Sequence, residues 1–142
     1  HCCIGVDVIV GFPDETDEDF AETCRFISDL DVSYLHVFTY SERANTPAIE
    51  IENSVPMNIR RERNEILRQI SDKKQRHFYQ QHLQTSRPVL WEANRTQSGL
   101  MLGFTDNYIR VQRPHDDALT NTITPYLLRS IEYIDGSDIS VK

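Results

Sequence analysis

The segment Ile4-Gly5-Val6-Asp7-Val8-Ile9-Val10 is apolar and β-branched at all but two positions, and Gly11-Phe12-Pro13 stops it. Such a run reads as a strand covered on both faces, the pattern of a parallel sheet. Parallel neighbours need a crossover of a dozen or more residues, usually a helix. The sequence supplies one. Thr16 can cap it, with Asp19 in the capping-box position. Asp17, Glu18 and Asp19 suit the positive end of a helix dipole. Phe20, Cys24, Ile27 and Leu30 then form one apolar stripe. Tyr34-Leu35-His36-Val37-Phe38 reads as a second strand, so residues 4–40 predict a βαβ unit with two neighbouring parallel strands. In that setting Asp7 is a carboxylate inside a covered strand and needs a partner. His36 reads as a structural core histidine.

Residues 41–56 are irregular, and Pro56 suits the first turn of a helix. A long helix to about residue 82 follows, with Ile59, Ile66, Leu67, Ile70 and Phe78 on its buried side. After Gln84 the texture changes to short β-like segments at 88–92, 100–105, 108–112, 123–128 and 131–134. Gly99, Gly103, Asp106-Asn107, Pro114 and Asp135-Gly136 separate or interrupt them. About five short strands predict a small antiparallel β-barrel. The domain boundary is expected near residue 84, giving 1–83 and 84–142, since 142 residues suffice for one ordinary domain or two small ones. The start, His1-Cys2-Cys3-Ile4, runs straight into a strand and carries no secretory signal, and the missing initiator Met suggests a piece of a longer chain.

Charge is uneven along the chain. Residues 1–56 carry 2 basic and 12 acidic side chains, residues 57–83 carry 7 and 3, and residues 84–142 carry 6 and 7, for a net charge of −7. Such a chain is a poor general polyanion binder, so any RNA contact needs a local basic face. Cys2, Cys3 and Cys24 make no disulfide framework and no Cys-x-x-Cys pair, which points to a reducing, cytoplasmic setting. No run of about 18 apolar residues is present, so no membrane span is expected.

The turn Gly11 to Thr16 stands at the carboxyl end of a parallel strand, where α/β folds bind ligands. It reads equally as a plain strand-to-helix turn. Asp14 and Glu15 read as helix-dipole carboxylates. His77 and His82 are five apart and do not share a helix face, so no metal site is expected there. Arg60, Arg61, Arg63, Arg68, Lys73, Lys74 and Arg76 make the long helix basic, either as a solvated face with pairs such as Asp72 and Arg76 or as a phosphate-contacting surface. Beyond residue 84, Trp91 and Tyr108 with Arg95, Arg110 and Arg113 are the aromatic and cationic types by which small barrels hold RNA. Trp91 also reads as core.

These phrases together resemble the radical-SAM tRNA methylthiotransferases. Ile4 to Thr16, followed by Glu18-Asp19-Phe20, is similar to their late-barrel segment, as is Tyr34 to Ala48. Val55-Pro56 with Arg60-Arg61-Glu62-Arg63 resembles the helix after the barrel. Gly103-Phe104-Thr105-Asp106-Asn107-Tyr108-Ile109-Arg110-Val111 resembles the central hairpin of a TRAM domain. The resemblance implies an α/β fragment of a partial TIM-like radical-SAM barrel, then a long helix and a small antiparallel, OB-like TRAM β-barrel. It implies a parent enzyme that methylthiolates an adenosine in tRNA, most like the group acting on threonylcarbamoyladenosine. The groups acting on isopentenyladenosine and on a ribosomal protein are the neighbouring alternatives.

The parent would use S-adenosylmethionine and two [4Fe-4S] clusters. The family's Cys-x-x-x-Cys-x-x-Cys motif is absent, so no catalytic residue and no metal ligand is expected in this chain, and it is expected to be inactive alone. The glycine common after the turn proline is Asp14 here. The implied cofactor wall is Ile9, Val10, Gly11, Phe38, Tyr40 and Arg43, with Gly11 admitting the adenine. The implied RNA-binding residues are Arg95, Tyr108, Arg110 and Arg113, with tRNA as partner. An incomplete barrel would leave an apolar edge, so self-association is expected. Two rival readings are a stand-alone RNA-binding module and a structural fragment whose barrel caps another domain.

Overall fold

A computed structural model describes residues 2–134 and 138–142; His1 and the expected Asp135-Gly136 turn lie outside the described residues. The elements run β1 (Gly5–Val10), α1 (Asp17–Asp29), β2 (Tyr34–Thr39), α2 (Met57–His82), β3 (Ser86–Arg95), β4 (Leu100–Thr105), β5 (Arg110–Pro114), β6 (Ile123–Leu127), β7 (Ile131–Ile134) and β8 (Asp138–Val141). Short 3₁₀ turns stand at Pro47–Glu50 and Asp117–Leu119. The chain forms two compact units. One is Ile4–Lys74 and the other is Gln75–Lys142 with the first three residues.

In the first unit β1 and β2 pair in parallel, Gly5 against Tyr34 through Val10 against Thr39. The capping box at the start of α1 is complete, with Thr16 and Asp19 exchanging side-chain and backbone hydrogen bonds. Because strand side chains alternate, Val6, Val8 and Val10 face inward with Leu35 and Val37. Ile27 of α1 and Leu67 of α2 close on them, and Phe20, Cys24, Val32 and Ile70 pack around this core.

The other face of this small sheet is open, which corrects the expectation of a strand covered on both sides. Gly5, Asp7 and Ile9 are exposed on β1, and His36 and Phe38 on β2. The open face also resolves two chemical puzzles. Asp7 meets solvent and has no desolvation cost to offset, so it needs no buried partner. His36 is a surface residue, edge-on to Tyr34 at 5.0 Å, and not a core histidine.

In the second unit a six-stranded sheet has the order β6-β3-β4-β5-β8-β7. The expected all-antiparallel barrel is corrected in two respects. The sheet is mixed, because β8 joins β5 in parallel through Val111 and Val141. No ladder joins the end strands β6 and β7 among the described residues, so the barrel is not closed. These two strands are consecutive in the chain, and their link is held by Lys142: Arg129 N donates to Lys142 O at 2.8 Å and Lys142 N to Ser130 O at 2.9 Å.

The core of this unit joins Phe78 and Tyr79 of α2 to Val89, Trp91, Met101, Ile109, Val111, Leu128 and Val141. Trp91 is fully buried and is therefore core; its Nε1 donates to Thr124 Oγ1 at 2.8 Å. Gly103 lies beneath it in β4, where a Cβ would come within 2.6 Å of Leu90 O. The buried Tyr79 hydroxyl accepts from Arg110 N at 3.1 Å, and burial raises its pKa above the ordinary tyrosine value.

The strand expected at 108–112 begins at Arg110. Tyr108 instead sits in a turn with φ +67, and its N–H donates to Thr105 O at 3.0 Å. Thr105 Oγ1 fixes that turn by donating to Asn107 Oδ1 and accepting from Ile109 N.

Candidate functional site

The turn after β1 is built from both ends. Phe12 O accepts from Glu15 N at 3.0 Å, with Pro13 and then Asp14 at φ +69 between them, which is the arrangement of a type II turn. That third position favours glycine. Asp14 tolerates it while hydrogen-bonded to Asn53 through both backbone and side chain. Gly11, at φ +76, is buried, and a Cβ there would clash with Arg60 Cγ. The direction in which a Gly11 side chain would grow is thus occupied by the protein itself.

Two arginines of α2 organise this region, and both are buried, against the expectation of a solvated or phosphate-facing helix surface. Arg60 is 3% exposed. It donates to Val55 O at 2.7 Å, Tyr40 O at 2.9 Å, Glu42 Oε1 at 2.6 Å and Ser54 Oγ at 2.8 Å. Its guanidinium also lies 5.3 Å from the Tyr40 ring. Arg63 is 4% exposed and donates to Glu15 O and Oε1 and to Asp17 Oδ1, the last at 2.7 Å. The other oxygen of Glu15 accepts from Gly11 N at 2.6 Å. Arg63, Glu15 and Gly11 therefore form one chain of charge-assisted bonds under the turn.

Lys74 donates to Ser28 O and Leu30 O at the end of α1, so it too is committed to structure. The expected Asp72 to Arg76 pairing is replaced by a bond from Arg76 to Tyr133 Oη at 3.1 Å. An open cleft of about 500 Å³ beside the turn is lined by Asp14, Glu15, Asp17, Asn53 and Arg63, an acidic rim unsuited to a polyanion.

Of the residues in the implied cofactor wall, Ile9 and Phe38 are cross-strand partners on the open face, 61% and 53% exposed. Val10 is a core residue and its carbonyl accepts from Tyr40 N at 2.8 Å. The Tyr40 ring meets Phe12 edge-on at 5.3 Å, and its hydroxyl is buried without a hydrogen-bond partner among the described residues. Arg43 is exposed in the loop after β2, where its carbonyl accepts from Thr46 Oγ1.

In the second unit Tyr108 is 61% exposed and stacks on Phe104 at 4.8 Å and 28°. The Arg110 guanidinium lies 4.9 Å from the same Phe104 ring and 3.8 Å from Glu92. This places an aromatic platform beside a cation. Arg95 pairs with Asp117 at 3.0 Å. Asp117 also accepts from His115 at 2.8 Å, and that bond, with the charges of His115 and Arg95, holds its carboxyl below the ordinary aspartate value. Arg113 is half-buried over Trp91, 5.5 Å from the ring centre.

Among the described residues no group of three or more His, Cys, Asp or Glu can hold a metal ion. Cys24 is half-buried, and burial raises its pKa above the ordinary thiol value. Among the described residues no helix is long and apolar enough to cross a membrane.

Arg60 and Arg63 are charged residues in a basic helix, for which a solvated face is the ordinary expectation, yet the sequence carries a signal of their burial. Continuing the apolar stripe of α2 backwards from Leu67 by a step of four lands on Arg63, and a further step of three lands on Arg60. The buried face itself therefore carries the arginines.

No protein-family model matches the chain. It is 40% identical over 111 residues to the threonylcarbamoyladenosine tRNA methylthiotransferase MtaB of Aquifex aeolicus, covering 78% of this chain and 25% of that protein. It is 39% identical over 108 residues to the protein of the same name from Bacillus subtilis, covering 74% and 24%. A tRNA-2-methylthio-N(6)-dimethylallyladenosine synthase of Acinetobacter baumannii is 49% identical over 57 residues, 40% of this chain and 12% of that protein. The chain thus spans about a quarter of the MtaB relatives it matches. Along that quarter, this chain is similar to tRNA methylthiotransferases.

Proposed function

We propose that the chain is a C-terminal portion of a tRNA methylthiotransferase that adds a methylthio group to threonylcarbamoyladenosine in tRNA. The observation that carries this reading is the 40% identity to a protein of that name over 78% of the chain. Residues 1–83 would be the late segment of a radical-SAM barrel with the helix that follows it, and residues 84–142 a TRAM-type RNA-binding unit. Two iron–sulfur clusters belong to the family chemistry, and this sequence does not carry the Cys-x-x-x-Cys-x-x-Cys motif, so their ligands would lie elsewhere in the parent.

S-adenosylmethionine, when bound in the parent, supplies the radical and the methyl group. The residues present fit a role in holding it. Ile9 and Phe38 offer adjacent apolar surface, Tyr40 offers a hydroxyl still lacking a partner, and Arg43 offers a fork for a carboxylate. Val10 and Gly11 would support this wall through the backbone, because the Val10 side chain is core and the Cβ direction of Gly11 is filled by Arg60. Gly11→Val is therefore a folding test before it is a binding test. On the RNA side, Tyr108 on Phe104 offers a surface for base stacking worth roughly 1–3 kcal/mol per base, beside Arg110.

The test is nucleoside mass spectrometry of tRNA from cells with and without the gene. The expected result is loss of the methylthio group from threonylcarbamoyladenosine. Loss from dimethylallyladenosine would move the assignment to the sister group, and no change in either would overturn it. The exposed Ile9 and Phe38 also make self-association of the 142-residue chain an expected property. Light scattering that gives a clean monomer on dilution would remove that part of the proposal.

A further inference from the structure

β5 and β6 are not neighbours in the sheet, yet they line one cavity of about 290 Å³. Arg113 and Pro114 come from β5, Pro125, Tyr126 and Leu127 from β6, and Arg129 from the link after it. Among the described residues no carboxylate lines this cavity. The chain carries a net charge of −7, yet this lining has no acidic side chain. Arg60, Arg63, Arg87, Arg95 and Arg110 each have a carboxylate partner. Arg113 and Arg129, like Arg25, Arg43, Arg61, Arg68 and Arg76, form no ion pair among the described residues, but these two line one cavity.

The two cations are held in complementary ways. The Arg113 guanidinium lies over the Trp91 and Tyr126 rings, 5.5 and 6.0 Å from their centres. A guanidinium held by its face keeps its edge N–H groups free for an acceptor in its plane. Its Nε is buried with no hydrogen-bond partner among the described residues. Arg129 is exposed, but its backbone is pinned: its N–H donates to Lys142 O and its carbonyl accepts from Gln84 Nε2 at 3.3 Å. The side chain therefore springs from a fixed point at the cavity mouth. Two guanidinium groups without an ion pair, an aromatic wall and no acidic side chain in the lining match the chemistry of a phosphate group, which takes bidentate arginine donors.

We propose that this cavity is a phosphate subsite, with Arg113 and Arg129 as donors and Tyr126 as its wall, and that it takes a backbone phosphate of bound RNA. The inference rests on the reading that the β-rich unit binds tRNA. A free phosphate ion has the same chemistry, and the experiment separates the two sources.

The full chain is titrated at low salt with fluorescently labelled tRNA, as wild type, Arg129→Ala and Arg25→Ala. The last removes the same charge from α1. Arg129→Ala is expected to weaken binding about tenfold, the scale of one charge-assisted hydrogen bond. It should also lower the slope of log affinity against log salt by about 0.7–0.9, the value of one phosphate contact. Arg25→Ala should do neither, and Arg129→Lys should recover part of the loss. In parallel, inorganic phosphate is titrated into isotope-labelled wild type and is expected to shift the amides of Tyr126 to Arg129 and to compete with tRNA.

If Arg129→Ala behaves as Arg25→Ala while wild type binds tRNA, the subsite is wrong and the RNA reading stands. If phosphate shifts these amides but tRNA affinity ignores Arg129, the cavity is a free-anion site and the RNA source is overturned. If wild type does not bind tRNA, the underlying reading fails, and absence of phosphate shifts as well would remove the site altogether.

Discussion

Arg60→Ala is expected to destabilise residues 4–74 by about 3–5 kcal/mol, the range for removing a buried, multiply hydrogen-bonded cation. The side chain donates four hydrogen bonds, two of them to the carbonyls of Val55 and Tyr40. Removing it leaves those acceptors without their donors and opens a void against Gly11 and the Tyr40 ring. The ion pair with Glu42 is the smaller part, because Glu42 is half-exposed and water can replace the arginine. Arg60→Lys should restore little, since an ammonium cannot span the same acceptors as a planar fork. Because the chain has two compact units, a single unfolding midpoint does not isolate this effect. Hydrogen exchange read segment by segment does. Exchange should accelerate from Val10 to Glu15 and at Tyr40 to Glu42, with β3 to β6 unchanged. Protection that stays at wild-type level in both segments would show that Arg60 is dispensable.

Trp91→Ala is expected to cost the β-rich unit about 3–5 kcal/mol, as for other large-to-small changes in a packed core. Trp91 is fully buried, meets Tyr126 edge-on at 5.2 Å and lies under the Arg113 guanidinium. It also satisfies Thr124 Oγ1. Trp91→Phe keeps a ring but drops that hydrogen bond and part of the volume, so about 1–2 kcal/mol is expected. Hydrogen exchange in β3, β4 and β6 should follow this order, Ala far above Phe. A Trp91→Ala chain with native protection in these strands would contradict the assignment of Trp91 as the centre of this core. The same substitution removes the surface on which Arg113 rests, so the phosphate cavity should be lost with it.

The contrast between these two residues shows where sequence reading works. Trp91 stands in the short apolar run Val89-Leu90-Trp91, for which the sequence already offers a core reading. Arg60 is charged, stands in a helix rich in charge, and reads by default as solvated. Only its acceptors reveal otherwise, and two of them, Tyr40 O and Glu42 Oε1, lie 20 and 18 positions away in the chain.

Residues a few positions apart set the local elements. The β-branched run, the Thr16 capping box and the apolar stripe of α1 are all of this kind, so β1, α1 and β2 could be read directly. The long α2 and the change to short strands after Gln84 were legible for the same reason, and the family relationship was carried by the same phrases. Long-range packing settled which face of β1 and β2 is covered, and therefore that Asp7 and His36 are surface groups. It also settled that Arg60 and Arg63 are buried, and that Arg113 and Arg129 line one cavity with no acidic side chain. The place of β8 belongs here too: its four residues Asp-Ile-Ser-Val carry too short a pattern to announce a strand, and Val141 pairs with the distant Val111 of β5. Local pattern fixes an element through contacts within a few residues; burial of charge and strand order depend on long-range partners, and those exist only once the chain has folded.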